Sequence, residues 1–327
     1  MGKKKEGHNY MKISLIEPLG VKAEVIEELS ADLVKQGHTF VSYDTLAKSE
    51  EEQIERVKDS DIVMIANHPF RSAAISAAAN LKMLDVAFTG IDHVDVQACR
   101  EKGITICNAA GYSTQTVAEL ILAMAVGGLR NMVKADSLSR NGGTSAGIGG
   151  REIAGKTVGI IGLGAIGLRA AKLFLAFGAK VIAYNRSEKE EAKALGIEYK
   201  SLDEVLSESD IISLNLPNNA ETKGLISKEK IALMKHDALF INCARGPIVD
   251  NAALAEALNN DELGFACIDV YDMEPPIPAD YPLLHAKNTI LTPHQAFISE
   301  EAMVRRAKIV FDNVYAYLDG NPINVCR

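Results

Sequence analysis

Residues 156–167 read Lys-Thr-Val-Gly-Ile-Ile-Gly-Leu-Gly-Ala-Ile-Gly, a β-prone apolar run that breaks into Gly162-x-Gly164-x-x-Gly167 and continues as a helical pattern. Three glycines alone are only a turn, but with a strand before them and a helix after them they predict a dinucleotide-binding turn. Gly162 permits the tight reversal, Gly164 lets backbone approach a pyrophosphate, and Gly167 lets helix pack on strand. Ala165, Ile166 and Gly167 open the helix, whose free N–H groups suit an anion.

The same alternation of strand and helix runs along most of the chain and predicts parallel sheets covered by helices. Between residues 11 and 110 strands are expected at Lys12 to Glu17, Thr39 to Tyr43, Ile62 to Ala66, Met83 to Phe88 and Ile104 to Cys107. Amphipathic helices separate them. A long helical pattern from Thr114 to Arg140 and a glycine-rich stretch, residues 141–150, follow; the alternation then restarts at Lys156. Its strands are Thr157 to Gly162, Ala179 to Asn185, Ile211 to Leu216, Ala238 to Cys243, Phe265 to Val270 and Thr289 to Thr292. One amphipathic helix, Ser299 to Leu318, closes the chain and must dock its apolar face, with the first domain as the expected partner.

Composition removes several alternatives. A chain of 327 residues with 47% hydrophobic content can core two domains, and its net charge of −8 disfavours a nucleic-acid partner. Lys3-Lys4-Lys5 is the one dense basic run, in a polar leader with no signal-peptide core. Five scattered cysteines without a CxxC pair suit a reduced, cytoplasmic protein and predict no metal site. No apolar run reaches the roughly 20 residues that span a bilayer.

In an open α/β sheet ligands collect beyond the carboxyl ends of the strands. Gly162, Asn185, Arg245, Asp269 and His294 each fall at or just past such an end, and Glu274 follows in the loop after Asp269. The planar fork of Arg245 can grip a carboxylate through two parallel hydrogen bonds. His294 can donate a proton to a carbonyl oxygen as hydride reaches the carbon. Glu274 can accept a bond from the other imidazole nitrogen and fix its tautomer. Asp269 can bond a nicotinamide carboxamide or simply cap the strand end, and the sequence leaves both open.

Four segments, in this order and spacing, resemble the D-isomer-specific 2-hydroxyacid dehydrogenase family over nearly the whole chain. They are Gly90-Ile-Asp-His-Val-Asp95 with Gly111-Tyr-Ser-Thr-Gln-Thr-Val-Ala-Glu119, the glycine turn, Asn242 to Asp250 with Asp269 and Glu274, and Thr292-Pro-His294. The resemblance implies two α/β domains with parallel sheets: a flavodoxin-like substrate domain, residues 1–110 and 295–327, and a Rossmann nucleotide domain, residues 111–294. It gives Arg245 the substrate carboxylate and makes His294 and Glu274 a proton relay. It places Thr89, Gly90 and Ile91 around the carboxylate, and sets Thr116, Leu216, Pro217, Cys243 and Ala244 with the turn and Asp269 against the cofactor. An active site in the interdomain cleft and a homodimer are further implications. Asp92 and Asp95, by contrast, read as helix caps.

Where many NAD-using relatives carry an Asp that repels a 2'-phosphate, this chain has Asn185-Arg186-Ser187, so NADP(H) is expected over NAD(H). Arg186 stacked on adenine is the alternative. The substrate expected is a small 2-oxoacid, with glyoxylate and hydroxypyruvate favoured over D-lactate or phosphoglycerate chemistry. Glu274 stands where formate dehydrogenases pair their histidine with Gln. A cofactor-sensing, corepressor-like binding protein is the rival from another class, and retention of Arg, Glu and His together argues against it.

Overall fold

The apolar strands assemble into two sheets, every pairing of which is parallel, in a computed structural model that describes residues 10–326. The Lys3-Lys4-Lys5 leader lies outside the described residues. The chain divides into two compact units: residues up to Ser113 with those from Ser299 onward, and Thr114–Ile298.

The first unit holds β1 (Lys12–Leu15), β2 (Thr39–Ser42), β3 (Ile62–Ile65), β4 (Met83–Val86) and β5 (Thr105–Asn108) in the order β2-β1-β3-β4-β5, the flavodoxin-like arrangement. Every residue of β3 and β4 is buried, as expected of strands covered on both faces, and this is why β3 reads as a continuous apolar run and β4 as one interrupted only by Asp85. The terminal helix Glu300–Leu318 starts at Ser299, whose hydroxyl accepts the Ala302 N–H at 3.1 Å. It packs on helix Ala23–Lys35 and on β4 and β5, with Phe311 against Phe40 at 5.6 Å between ring centres.

In the second unit β6 (Thr157–Ile161), β7 (Lys180–Tyr184), β8 (Glu198–Tyr199), β9 (Ile211–Leu214), β10 (Leu239–Asn242), β11 (Phe265–Ile268) and β12 (Thr289–Leu291) lie in the order β12-β11-β10-β9-β6-β7-β8. The order reverses between β6 and β9, and a crevice at that switch point is where such sheets bind ligands. Chain order thus puts the glycine turn beside the loop after β9.

The helical pattern Thr114 to Arg140 is not one helix. Helices Thr114–Leu129 and Met132–Arg140 are bent by 59° at Asn131, which sits in the left-handed region at φ 53° and donates its side-chain amide to Gly149 O at 2.7 Å. Asn tolerates that conformation, so helical periodicity on both sides concealed the break. Among the described residues no single helix is long and apolar enough to cross a membrane, and no cluster of three metal-ligating side chains occurs.

Candidate active site

The glycine turn follows β6. Gly162 has φ 96°, and a Cβ at Gly167 would overlap the Gly162 carbonyl, so helix Ala165–Ala176 can begin this close to the strand only with hydrogen there. At Gly164, by contrast, a Cβ would meet nothing within 4 Å. No side chain caps this helix, which leaves its first N–H groups, on Ala165, Ile166 and Gly167, open to a phosphate. A dinucleotide's pyrophosphate fits this cradle.

Asn185, just past β7, braces the turn. Its Oδ1 accepts the Leu163 N–H at 3.1 Å and its Nδ2 donates to Ser187 O at 2.7 Å. Arg186 and Ser187 are exposed beside it. The Arg186 guanidinium meets Glu221 at 2.9 Å, with the two side chains 80% and 70% exposed. Leu216 leans on Gly162 from the loop after β9, and Pro217 O accepts the Thr222 hydroxyl at 2.6 Å. Cys243 is buried with its sulfur 3.5 Å from Met124 Sδ, and burial pushes its thiol up, while Ala244 after it is half-buried. Thr116 lies half-buried on helix Thr114–Leu129, which packs on Ala165–Ala176.

The loops after β10, β11 and β12 are locked together. Gly246 approaches Tyr271 backbone to backbone so closely that a Cβ would overlap the Tyr271 carbonyl. This contact fixes Arg245, half-buried at the end of β10, against the loop that carries Glu274. Asn251 reinforces it, donating to Gly246 O at 3.1 Å and to Asp272 Oδ1 at 2.8 Å, while the Tyr281 hydroxyl donates to Asp272 Oδ2 at 2.8 Å. None of Asn251, Asp272 and Tyr281 stood out in the sequence. The Gly246-Pro247 pair after Arg245 was the available signal, since a glycine outside a turn often marks close backbone approach.

Asp269, fully buried, is the clamp of the histidine loop. Its Oδ1 accepts the Thr292 hydroxyl at 2.6 Å and the Gln295 N–H at 2.9 Å, and its Oδ2 accepts the Ala296 N–H at 2.9 Å. Burial raises its pKa against the opposing pull of these bonds. His294 is thereby held at φ 57°, a left-handed conformation uncommon for a residue with a side chain. Its Nδ1 lies 2.7 Å from Glu274 Oε2, and Phe297 packs edge-on at 5.4 Å. An ionised carboxylate can only accept, so Nδ1 carries a proton toward Glu274 and Nε2 is the ring nitrogen on the opposite side. The imidazole is 13% exposed and Glu274 62%, leaving a shielded donor backed by a solvated carboxylate.

Thr89, Gly90 and Ile91 belong to the first unit, in the turn after β4, where Thr89 O accepts the Asn108 side-chain amide at 2.7 Å. Asp95 caps helix Val96–Glu101 through the Ala98 N–H at 3.0 Å. Asp92 lies in the turn closed by Val94 N–H to Ile91 O, before that helix rather than at its cap.

A parallel sheet of this order, a glycine cradle at its switch point and a paired histidine and glutamate past its strand ends define a nucleotide-dependent α/β oxidoreductase scaffold. The profile described as "D-isomer specific 2-hydroxyacid dehydrogenase, NAD binding domain" matches residues 122–296. The chain belongs to the D-isomer specific 2-hydroxyacid dehydrogenase family. It is 35% identical over 274 residues to a glyoxylate reductase of Korarchaeum cryptofilum, covering 82% of each chain. It is 36% identical over 315 residues to the D-3-phosphoglycerate dehydrogenase of Methanocaldococcus jannaschii, covering 95% of this chain but spanning only 58% of that relative's length. Among solved structures, an acyclic imino acid reductase in complex with NADPH and D-Arg superposes with a TM-score of 0.88 at 30% identity, over 97% of this chain and 100% of that one.

Proposed function

We propose that the chain reduces small 2-oxoacids to D-2-hydroxyacids with NADP(H), glyoxylate and hydroxypyruvate foremost. The observation that carries the reading is the 2.7 Å pair of His294 Nδ1 and Glu274, on loops fixed by Asp269 and Gly246. Arg245 holds the substrate carboxylate, with the backbone of Thr89, Gly90 and Ile91 as its second grip, and so orients the adjacent carbonyl. A nicotinamide bound on the glycine turn supplies the hydride to the carbonyl carbon. As the carbonyl π pair moves to oxygen, His294 donates its Nε2 proton there, and Glu274 stabilises the charged imidazole before transfer. In the reverse direction the same nitrogen accepts the hydroxyl proton.

Support for NADP(H) is the exposed Arg186 and Ser187 at the end of β7, a guanidinium and a hydroxyl suited to a 2'-phosphate. The relative bound to NADPH is consistent with this choice. We read the protein as a homodimer; the exposed Met132 and Val133 on helix Met132–Arg140 support a self-contact there. Five free cysteines support a reducing, cytoplasmic setting.

A second reading, oxidation of D-3-phosphoglycerate, draws on the 36% identity to that dehydrogenase. Cofactor turnover measured with glyoxylate, hydroxypyruvate, pyruvate and branched 2-oxoacids, and in reverse with D-3-phosphoglycerate and D-lactate, separates the two. Turnover with none of them, alongside retained cofactor binding, would favour a cofactor-sensing role instead.

A further inference from the structure

The turn Thr89–Gly90–Ile91 is tied to the far end of the chain by a relay of asparagines. Asn108, the last residue of β5, donates Nδ2 to Thr89 O at 2.7 Å, while its own Oδ1 accepts the Ala110 N–H at 3.3 Å. Next to it the Ala109 N–H donates to Phe88 O at 3.0 Å, so β5 and the turn are stitched at two successive carbonyls. Asn313, fully buried on the terminal helix, donates to Asn108 O at 3.0 Å and to Asp85 Oδ1 at 2.8 Å. Asn324, in the segment after that helix, donates to Asn313 Oδ1 at 2.8 Å, and its carbonyl accepts the Asn108 N–H at 3.1 Å. That segment runs antiparallel to β5, with Cys107 opposite Val325 and the Cys326 N–H on Ile106 O at 2.8 Å.

We propose that Asn108 is a positioning residue for 2-oxoacid binding, setting the Thr89–Ile91 turn, and that the strap through Asn324 and Asn313 holds Asn108 in register. The inference rests on the reading that this turn holds the substrate carboxylate. The physical argument is directional. A planar trans peptide points its N–H opposite to its C=O, so capturing Thr89 O on one side aims the Gly90 amide to the other. Asn108 forms this bond at the surface, where water competes for Thr89 O, so its value lies in orientation more than in stability. The strap reduces the orientation cost by clamping Asn108 N–H and O, leaving only its side chain to settle.

Steady-state kinetics on the full chain tests this with three variants. Asn108→Asp keeps shape and the Ala110 bond but replaces the donor with an acceptor facing Thr89 O. KM for the 2-oxoacid should rise about tenfold with kcat within twofold, the pattern of lost ground-state and transition-state binding in equal measure. Cofactor affinity, measured by fluorescence titration, should stay unchanged. Asn108→Ser, which keeps a hydroxyl donor, should recover part of the KM. Asn324→Ala alters an exposed residue and removes only the Asn313 Oδ1 end of the strap; it should raise KM about threefold, so the inference stays testable if the Asn108 variants fold poorly. An active wild type whose KM is unmoved by Asn108→Asp or, failing that, by Asn324→Ala overturns this inference alone. An inactive wild type overturns the functional reading on which it rests.

Discussion

The carboxylate of Asp269 grips the chain on both sides of His294, taking the Thr292 hydroxyl before it and the Gln295 and Ala296 N–H groups after it. A left-handed backbone at a residue with a Cβ costs roughly 1–2 kcal/mol, and it persists where its surroundings over-determine it. Asp269→Asn keeps the shape but turns an amide donor toward donors. Turnover should fall about 100-fold as the imidazole drifts from its place, and the protein should melt earlier. A variant with a lowered melting temperature and wild-type kcat would reduce Asp269 to fold support.

His294→Ala removes the proton donor and leaves the glycine cradle untouched. The expected loss in kcat is about 10²–10⁴, with cofactor affinity unchanged in a fluorescence titration. Glu274→Gln should be milder, since the amide oxygen can still accept from Nδ1 but no longer balances the charge on the ring. Near-normal turnover in His294→Ala would assign the acid elsewhere.

Gly246 and Tyr271 give an independent handle on Arg245. Any Cβ at Gly246 must push the two loops apart, because the obstacle is backbone and cannot rotate away. Gly246→Ala should destabilise the fold by about 1–3 kcal/mol and raise KM for the 2-oxoacid more than it affects the Kd of the cofactor. Equal losses in both would mean that the loop serves the cofactor first.

These three sites show what the sequence carried. Strand ends were legible because parallel strands are buried on both faces and end where apolar runs end, so Arg245, Asp269 and His294 were placed by counting. The glycine turn was legible because φ 96° at Gly162 and the contact at Gly167 each demand the residue found. The partnerships were not. Strand-end position set Asn185 on the cofactor side of β7 but says nothing about the Leu163 N–H, which its oxygen accepts. Asp269 clamps the His294 loop, a pairing across 25 residues for which no local pattern exists. The break at Asn131 was hidden because left-handed backbone is set by the Gly149 contact as much as by the residue.

On the proposed NADP(H) reading, cofactor choice turns on Arg186, whose ion pair with Glu221 is exposed on both sides and is worth at most about 1 kcal/mol, so a 2'-phosphate could displace it. Arg186→Ala should cut kcat/KM with NADPH about tenfold while leaving NADH within twofold. Glu221→Gln, which frees the guanidinium, should move the preference further toward NADPH. Parallel losses for both cofactors in Arg186→Ala would indicate stacking on adenine instead.

Asp85 supplies the pH dependence. It lies on β4 with Asn313 as its donor, its Oδ2 is buried without a partner, and burial holds its carboxyl well above the usual carboxylate range. A folded-state pKa above the unfolded value of about 3.9 means that the native protein keeps this proton longer than the unfolded chain does. Its contribution is therefore complete at low pH and is lost as pH rises through the folded value. Asp85→Asn imitates the protonated form without the titration. The stability of the variant relative to wild type should increase with pH, by at most about 1.4 kcal/mol per unit between the two pKa values. Urea unfolding at pH 4.5 and pH 8 measures the difference, and the buried Glu17, whose carboxyl burial also raises, cancels because it is present in both proteins. A stability difference that stays constant across that range would place a charged Asp85 in the native core and reverse the assignment.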